Sequence, residues 1–250
     1  MKRRVFLGTV GSTASLGTLA YATRGASDTL EVRIWLSERA ATYDGVTDRI
    51  RSYLDETLAF EYWSLEASIG GTVSVSTEDA AHLTRRGEWP MAVASGTLGG
   101  RDLEPASDVN LLVTDGGMER APTGYGVPHI ASVGGARHLA ALESLDDVVT
   151  GDARVIAPNT TPVRTMQVLL HEIGHALGLN HEDGAAFVYD GALTATPMLS
   201  SYVWDPEYES DASPCGSAIP APADRKRALS FAFSSCARRR LANYDGELPF

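Results

Sequence analysis

The sequence predicts an α+β fold: a twisted mixed sheet, two long helices, and a coil-rich lower part closed by a C-terminal helix. Three observations predict it. Short runs such as Leu30 to Leu36 and Val109 to Thr114 alternate or are wholly apolar, the pattern of strands. Two longer segments, 46–60 and 162–177, carry apolar residues at spacings of three and four, the pattern of amphipathic helices. Between residue 30 and residue 177 the two kinds of element interleave, and after that the regular signal thins.

Leu30 to Leu36 (LEVRIWL) opens the series as a strand, and Asp44-Gly45 is a turn. Val46, Ile50, Tyr53, Leu54, Leu58 and Ala59 then form the apolar stripe of the first long helix. Tyr62 to Ile69 and Thr72 to Ser76 read as two short strands or as one bent strand broken at Gly70-Gly71. Residues 82–105 read as irregular and Gly-rich. Val109 to Thr114 is a buried strand ended by Asp115-Gly116-Gly117. Tyr125 to Val133 is a further strand, demoted to a sheet edge by Pro128. Asp152 to Ala157 is a short strand. The second long helix starts at Thr161-Pro162, with Thr161 as cap and Pro162 in the first helical position, and stops at Gly178. Residues 182–222 read as ordered coil and Asp224 to Leu241 as the last helix.

The chain has 250 residues, 44% hydrophobic and 21% charged, which is globular rather than disordered composition. Residues 1–22 hold three basic side chains and no acid, leaving 18 basic against 32 acidic residues after Ala22, a net charge of −14. That balance argues against phosphate-driven nucleic-acid binding. No apolar run of membrane-spanning length follows the N-terminus, which excludes a polytopic membrane protein.

Lys2-Arg3-Arg4-Val5-Phe6-Leu7, a weakly apolar stretch from Gly8, and Ala20-Tyr21-Ala22 have the layout of an export signal. The Arg3-Arg4 pair resembles twin-arginine signals, which implies a secreted protein exported already folded. An ordinary secretory signal, or an uncleaved one left as a membrane tether, is the alternative. Residues 23–250 are then a single domain, with an upper part to about residue 181 and a lower part from 182. Lys2 and Lys226 are the only lysines, so Arg carries nearly all positive charge. Acid excess with Arg in place of Lys resembles secreted proteins of extreme halophiles; an acidic protein from a GC-rich genome reads the same way. The two cysteines, Cys215 and Cys236, suit one bridge in an oxidising compartment. A loop of that length is worth about 3 kcal/mol in the chain-entropy model. Two buried free thiols are the other reading.

The chemistry is concentrated in residues 171–181, His-Glu-Ile-Gly-His-Ala-Leu-Gly-Leu-Asn-His. On a helix His171 and His175 lie about 40° apart around the axis, so both imidazoles reach one ion. Glu172 lies about 100° from His171, within reach of a metal-bound water without ligating the metal. Gly178 can take a left-handed conformation and swing His181 back as third ligand. The run His-Glu-x-x-His-x-x-Gly-x-x-His arises by chance in about one chain of this length in ten thousand.

This run resembles the metzincin clan of zinc metallopeptidases. The resemblance implies a metzincin-like fold with a zinc cleft, one catalytic Zn2+ and a Met-containing turn beneath it. Thr196-Pro197-Met198-Leu199-Ser200, 17 residues after His181, resembles that turn, with Met198 as the apolar pedestal; a core Met in a loop is the plainer reading. In some metzincins a Tyr two residues after this Met approaches the metal. Here that position is Ser200, and Tyr202, four after the Met, is the candidate metal neighbour or oxyanion stabiliser. Glu182 is astacin-like, but the short gap to Met198 is not, so no subfamily is identified. Residues 23–29 are all that separate the export segment from the first strand, so no cysteine-switch propeptide is expected.

The expected activity is endopeptidase: Glu172 as general base for a zinc-activated water, and an extended peptide paired with the edge strand near 125–133. The wall of the specificity pocket is expected within 182–204, including Phe187, Tyr189 and Val203. His129 and His138 stand outside any ligand spacing and read as surface or structural. Ca2+ is compatible with the many Asp and Glu but has no EF-hand-like spacing behind it. A zinc-bearing binding or adhesion module without turnover, and a zinc hydrolase of a non-peptide amide, are the competing functions. The sequence does not specify the oligomeric state.

Overall fold

A computed structural model describes residues 29–100, 103–118, 123–148, 155–204, 215 and 225–246. The expected export segment 1–22 lies outside these residues. The described residues form a mixed α+β structure with two sheets and seven α-helices. No helix among them is long and apolar enough to cross a membrane.

The first sheet is built from β1 (Thr29–Ser37), β2 (Ser64–Val73), β3 (Val109–Val113), β4 (Gly124–Val127) and β5 (Ile130–Val133). Its order is β2-β1-β3-β5-β4. The first four strands in that order run parallel, and β4 is antiparallel to β5 at the edge. Parallel strands need crossover connections, and α1 (Val46–Thr57) supplies the one between β1 and β2. Helices α2 (Ala80–Arg85), α3 (Glu88–Thr97), α4 (Ala136–Ala140), α5 (Leu145–Val148) and α6 (Thr161–Ala176) follow in chain order.

Side-chain alternation splits the interior into two cores. Leu30, Val32, Ile34 and Leu36 of β1, with Leu111 and Val113 of β3 and Ala131 and Val133 of β5, join a large core that includes α1 and α6. Trp35, Leu112 and Ile130 point the other way and pack with Leu83 of α2 and Trp89 of α3. Helices therefore cover both faces of the sheet, which explains why all five residues of β3 are buried. Asn110, buried within β3, is satisfied through its side-chain amide by both backbone groups of Ala106.

A second sheet of β6 (Ile156–Pro158), β7 (Ala186–Tyr189), β8 (Ala192–Ala195) and β9 (Lys226–Ser230) has the order β6-β9-β8-β7. Helix α7 (Ser235–Leu241) ends the described chain. Gln167 of α6 reaches out of the helix into this sheet, donating to Ala195 O at 2.8 Å and to Ser230 O at 3.1 Å.

Of the two readings for 62–76, the single irregular strand holds: residues 64–73 form one strand, and its pairing with β1 skips Gly70, where a Cβ would collide with the Trp35 ring. Several other expectations are corrected. The segment expected to be irregular contains α2 and α3; Pro90 is tolerated because it stands in the first turn of α3. The single strand expected at 125–133 is the β4–β5 hairpin, reversed at Pro128-His129 with His129 at a left-handed φ of 66°. The cap of α6 is Thr160 rather than Thr161, since the Thr160 side chain accepts from Val163 N. The expected coil after residue 182 holds the β7–β8 hairpin, and the expected helix 224–241 is strand β9 followed by α7. Of the strand expected at 152–157, residues 152–154 lie outside the described set.

Candidate metal centre

Helix α6 carries the first two ligand candidates on one face, and a Schellman end delivers the third. Gly178 takes φ 81°, Gly178 N donates to His175 O at 3.0 Å, and Leu179 N donates to Gly174 O at 2.9 Å. The chain then enters a short 3-10 turn, His181–Asp183. Asn180 and Asp183 close a capping box around it, with Asn180 N donating to Asp183 Oδ2 at 2.8 Å. Arg240 of α7 pairs with the same carboxylate at 3.3 Å, and Ser234 Oγ donates to Asp183 O. The third imidazole is thus oriented by contacts more than fifty residues further along the chain. Cys236 of α7 is bridged to Cys215, with Cα atoms 5.6 Å apart.

The three imidazoles converge. His175 Nε2 lies 3.0 Å from His171 Nε2 and 3.2 Å from His181 Nε2. His171 Nδ1 lies 2.7 Å from Pro197 O and His175 Nδ1 lies 2.9 Å from Leu179 O. A carbonyl oxygen only accepts, so both Nδ1 atoms carry hydrogen and both Nε2 atoms present lone pairs inward. Lone pairs facing at 3 Å repel unless a cation sits between them. Tetrahedral zinc with Zn–N bonds of about 2.0–2.1 Å requires ligand nitrogens about 3.3–3.4 Å apart. The donor set therefore fits one such ion, and it is the only cluster of three or more such donors among the described residues.

Burial lowers the pKa of all three imidazoles. His171 is pushed down to about 3 by desolvation and by its neighbour His175, and His175 and His181 are lowered mainly by burial. The ligands are therefore neutral at neutral pH, the form that binds metal.

Glu172 is buried beneath the edge strand. The Gly126 backbone N–H favours its charged form, and a Cβ on Gly124 would come within 2.6 Å of Oε1. Burial pushes its pKa up to about 8, opposed by the charge of Arg85 and by the Gly126 backbone N–H. A divalent cation among the imidazoles would act in the same direction as Arg85. Gly126 also faces α6: a Cβ there would meet Glu172 O at 2.5 Å and His175 Cβ at 2.7 Å. The Gly-x-Gly spacing of β4 is thus what allows the helix to approach this closely.

Met198 is buried, and its sulfur packs against Gly174, the residue just before His175; a Cβ at 174 would overlap Sδ. The turn holding Met198 also supplies the Pro197 carbonyl that orients His171. Ser200 is buried at φ 46°. The Tyr202 backbone lies in the 3-10 segment Ser200–Trp204, but its side chain lies outside the described set. Phe187 and Tyr189 lie half-buried on one face of β7, and Val203 is buried in the large core. His129 is buried at the β4–β5 turn, with Nδ1 3.1 Å from Asp108 O.

Sequence reasoning missed Arg85, whose guanidinium lies 4.7 Å from the centre of the Tyr125 ring on β4. It also missed Arg240 and Asp183, which position His181. The acid two residues after the last histidine is the one local signal for that turn.

No family model matches the chain, and no curated protein matches it. Among solved structures, archaemetzincin from Methanopyrus kandleri is similar at 15% identity, covering 86% of this chain and 94% of that chain with a TM-score of 0.37. At that identity and score the likeness is too distant to assign a family or a chemistry.

Proposed function

We propose that this chain is a zinc-dependent endopeptidase whose general base is Glu172. The observation that carries the reading is the convergence of the His171, His175 and His181 Nε2 atoms beside the buried Glu172 carboxylate. A structural zinc site is closed by four protein ligands, whereas three leave a position for reaction. When bound, zinc supplies a Lewis acid that polarises a carbonyl and lowers the pKa of water.

The chain's own groups do the rest. The Glu172 carboxylate accepts a proton from the attacking water and returns it to the leaving amine nitrogen. The Gly126 backbone N–H favours the charged form of that carboxylate. The outer edge of β4 accepts an extended peptide by backbone hydrogen bonds, which favours peptides over small amides. Met198 supports the helix from below, and Tyr202 is the candidate stabiliser of the oxyanion.

Export by a twin-arginine signal and an acidic surface suited to high salt belong to the same reading. The basic segment Lys2 to Arg4 and the −14 charge after Ala22 support them. The test is a quenched-peptide library incubated with zinc-loaded protein, with and without chelator. Cleavage within peptides that is lost with chelator and regained with zinc is expected. A zinc-loaded protein that cleaves nothing is a binding module, and one that cleaves only non-peptide amides overturns the substrate class.

A further inference from the structure

We propose that Arg85 determines specificity in this cleft, reading an acidic side chain of a peptide strand laid along the outer edge of β4. The inference rests on the peptidase reading and deepens it.

Strand β4 ends its sheet, and its outer edge pairs with no strand among the described residues. Its residues alternate between faces. Gly124 and Gly126 turn towards α6 and Glu172. Tyr125 pairs with Ser132 of β5, whose Oγ is bonded to Ala80 O at 2.9 Å and to Thr84 Oγ1 at 2.6 Å, so both point towards α2. Directly opposed residues of neighbouring strands share a face, with Cβ atoms about 4.5–5.5 Å apart. In a strand added to β4, the residue opposite Tyr125 therefore projects beside the Tyr125 ring on the α2 face.

Arg85 is the last residue of α2 and waits at that place. It is exposed, its guanidinium carbon lies over the Tyr125 ring, and no carboxylate among the described residues lies within ion-pair distance of it. A guanidinium carries five N–H donors, and one held over an aromatic ring keeps donors free to grip a carboxylate. The remainder of the chain is strongly acidic and repels anions, so a carboxylate is accepted only where a cation is held locally. A C-terminal carboxylate lies in line with the backbone rather than on one face, so the geometry favours a mid-peptide Asp or Glu.

The test uses zinc-loaded protein and a neutral fluorogenic host peptide, with Glu or Gln placed singly at successive positions at fixed ionic strength. Glu is expected to exceed Gln about tenfold in kcat/KM at one position, through KM. Arg85→Gln should erase that ratio, Arg85→Glu should shift the preference to Lys, and Arg86→Gln on the exposed neighbour should preserve it. A Glu-to-Gln ratio below twofold at every position, or one unchanged in Arg85→Gln, overturns the proposal and leaves the peptidase reading intact. A preference that disappears when the peptide C-terminus is amidated identifies a C-terminal reader instead and also overturns it. Absence of cleavage of the host peptide itself removes the peptidase reading, and this inference with it.

Discussion

Arg240 holds Asp183 at 3.3 Å, and Asp183 in turn closes the turn that begins with His181. The third ligand candidate is therefore fixed from the far end of the chain. Groups that orient metal ligands typically contribute 10–100-fold to affinity. Arg240 is partly exposed, so the low end applies: Arg240→Ala should weaken zinc binding about tenfold, read by chelator competition. Native affinity in that variant would mean the capping box alone suffices.

In the proposed mechanism Glu172 and His181 have separable duties. Glu172→Gln preserves shape, and general base catalysis contributes about 10²–10⁴-fold, so kcat should fall by that range while zinc content stays stoichiometric. His181→Ala should lose bound zinc at chelator concentrations that the native protein resists. Metal analysis beside kinetics distinguishes the two, and equal activity in Glu172→Gln would remove the mechanism.

Gly126 leaves no room for a side chain between β4 and α6. Its alanine variant must separate strand from helix, and overpacking of this kind costs about 1–3 kcal/mol. Denaturant unfolding of Gly126→Ala should show that loss, together with a lowered kcat because the strand moves away from the Glu172 and His175 backbone. A neutral effect would show that the edge strand gives way easily.

Asp115 supplies a pH-dependent part of stability. Burial alone would raise its pKa, but Arg137 grips both carboxylate oxygens at 2.9 and 2.7 Å and Tyr43 donates at 2.8 Å, and the net shift is downward from 3.8. A carboxylate with a lowered folded pKa stabilises above its unfolded pKa and loses that contribution as pH falls through the folded value. Asp115→Asn should therefore lose about 2 kcal/mol at neutral pH, the scale of hydrogen bonds to a charged group. The deficit should shrink below pH 3.8 and vanish in stronger acid. Parallel pH curves for the two metal-free proteins would contradict this.

What the sequence disclosed was what is local. Helix α6, its Gly178 stop and the ligand spacing all arise within one stretch of about twenty residues, and only the cap was misplaced by one position. The first sheet's strands from Leu30 and Val109 were legible because wholly or alternately apolar runs there mean burial. Strands β7, β8 and β9 escaped because each has four or five residues and is defined by pairing: Thr194 faces Phe187 on one side and Ala228 on the other. Lys226 to Ser230 has no pattern of its own that forbids a helix. The β4–β5 reversal escaped because Val127-Pro128-His129 has no Asn-Gly or Asp-Gly signal and places a non-glycine residue at positive φ. Arg85 escaped with the helix that carries it, and Arg240 because nothing near His181 in sequence points to it.

Strand β4 divides its residues by what mutation can do to them. Gly124 and Gly126 are locked, since any added atom strikes Glu172 or the backbone that carries it. Tyr125, between them, looks towards the opposite layer, beneath the Arg85 guanidinium. Substitution at position 125 can therefore change this surface while the Glu172 carboxylate stays where it is. Among chains that share this strand, position 125 is then expected to vary while 124 and 126 stay glycine.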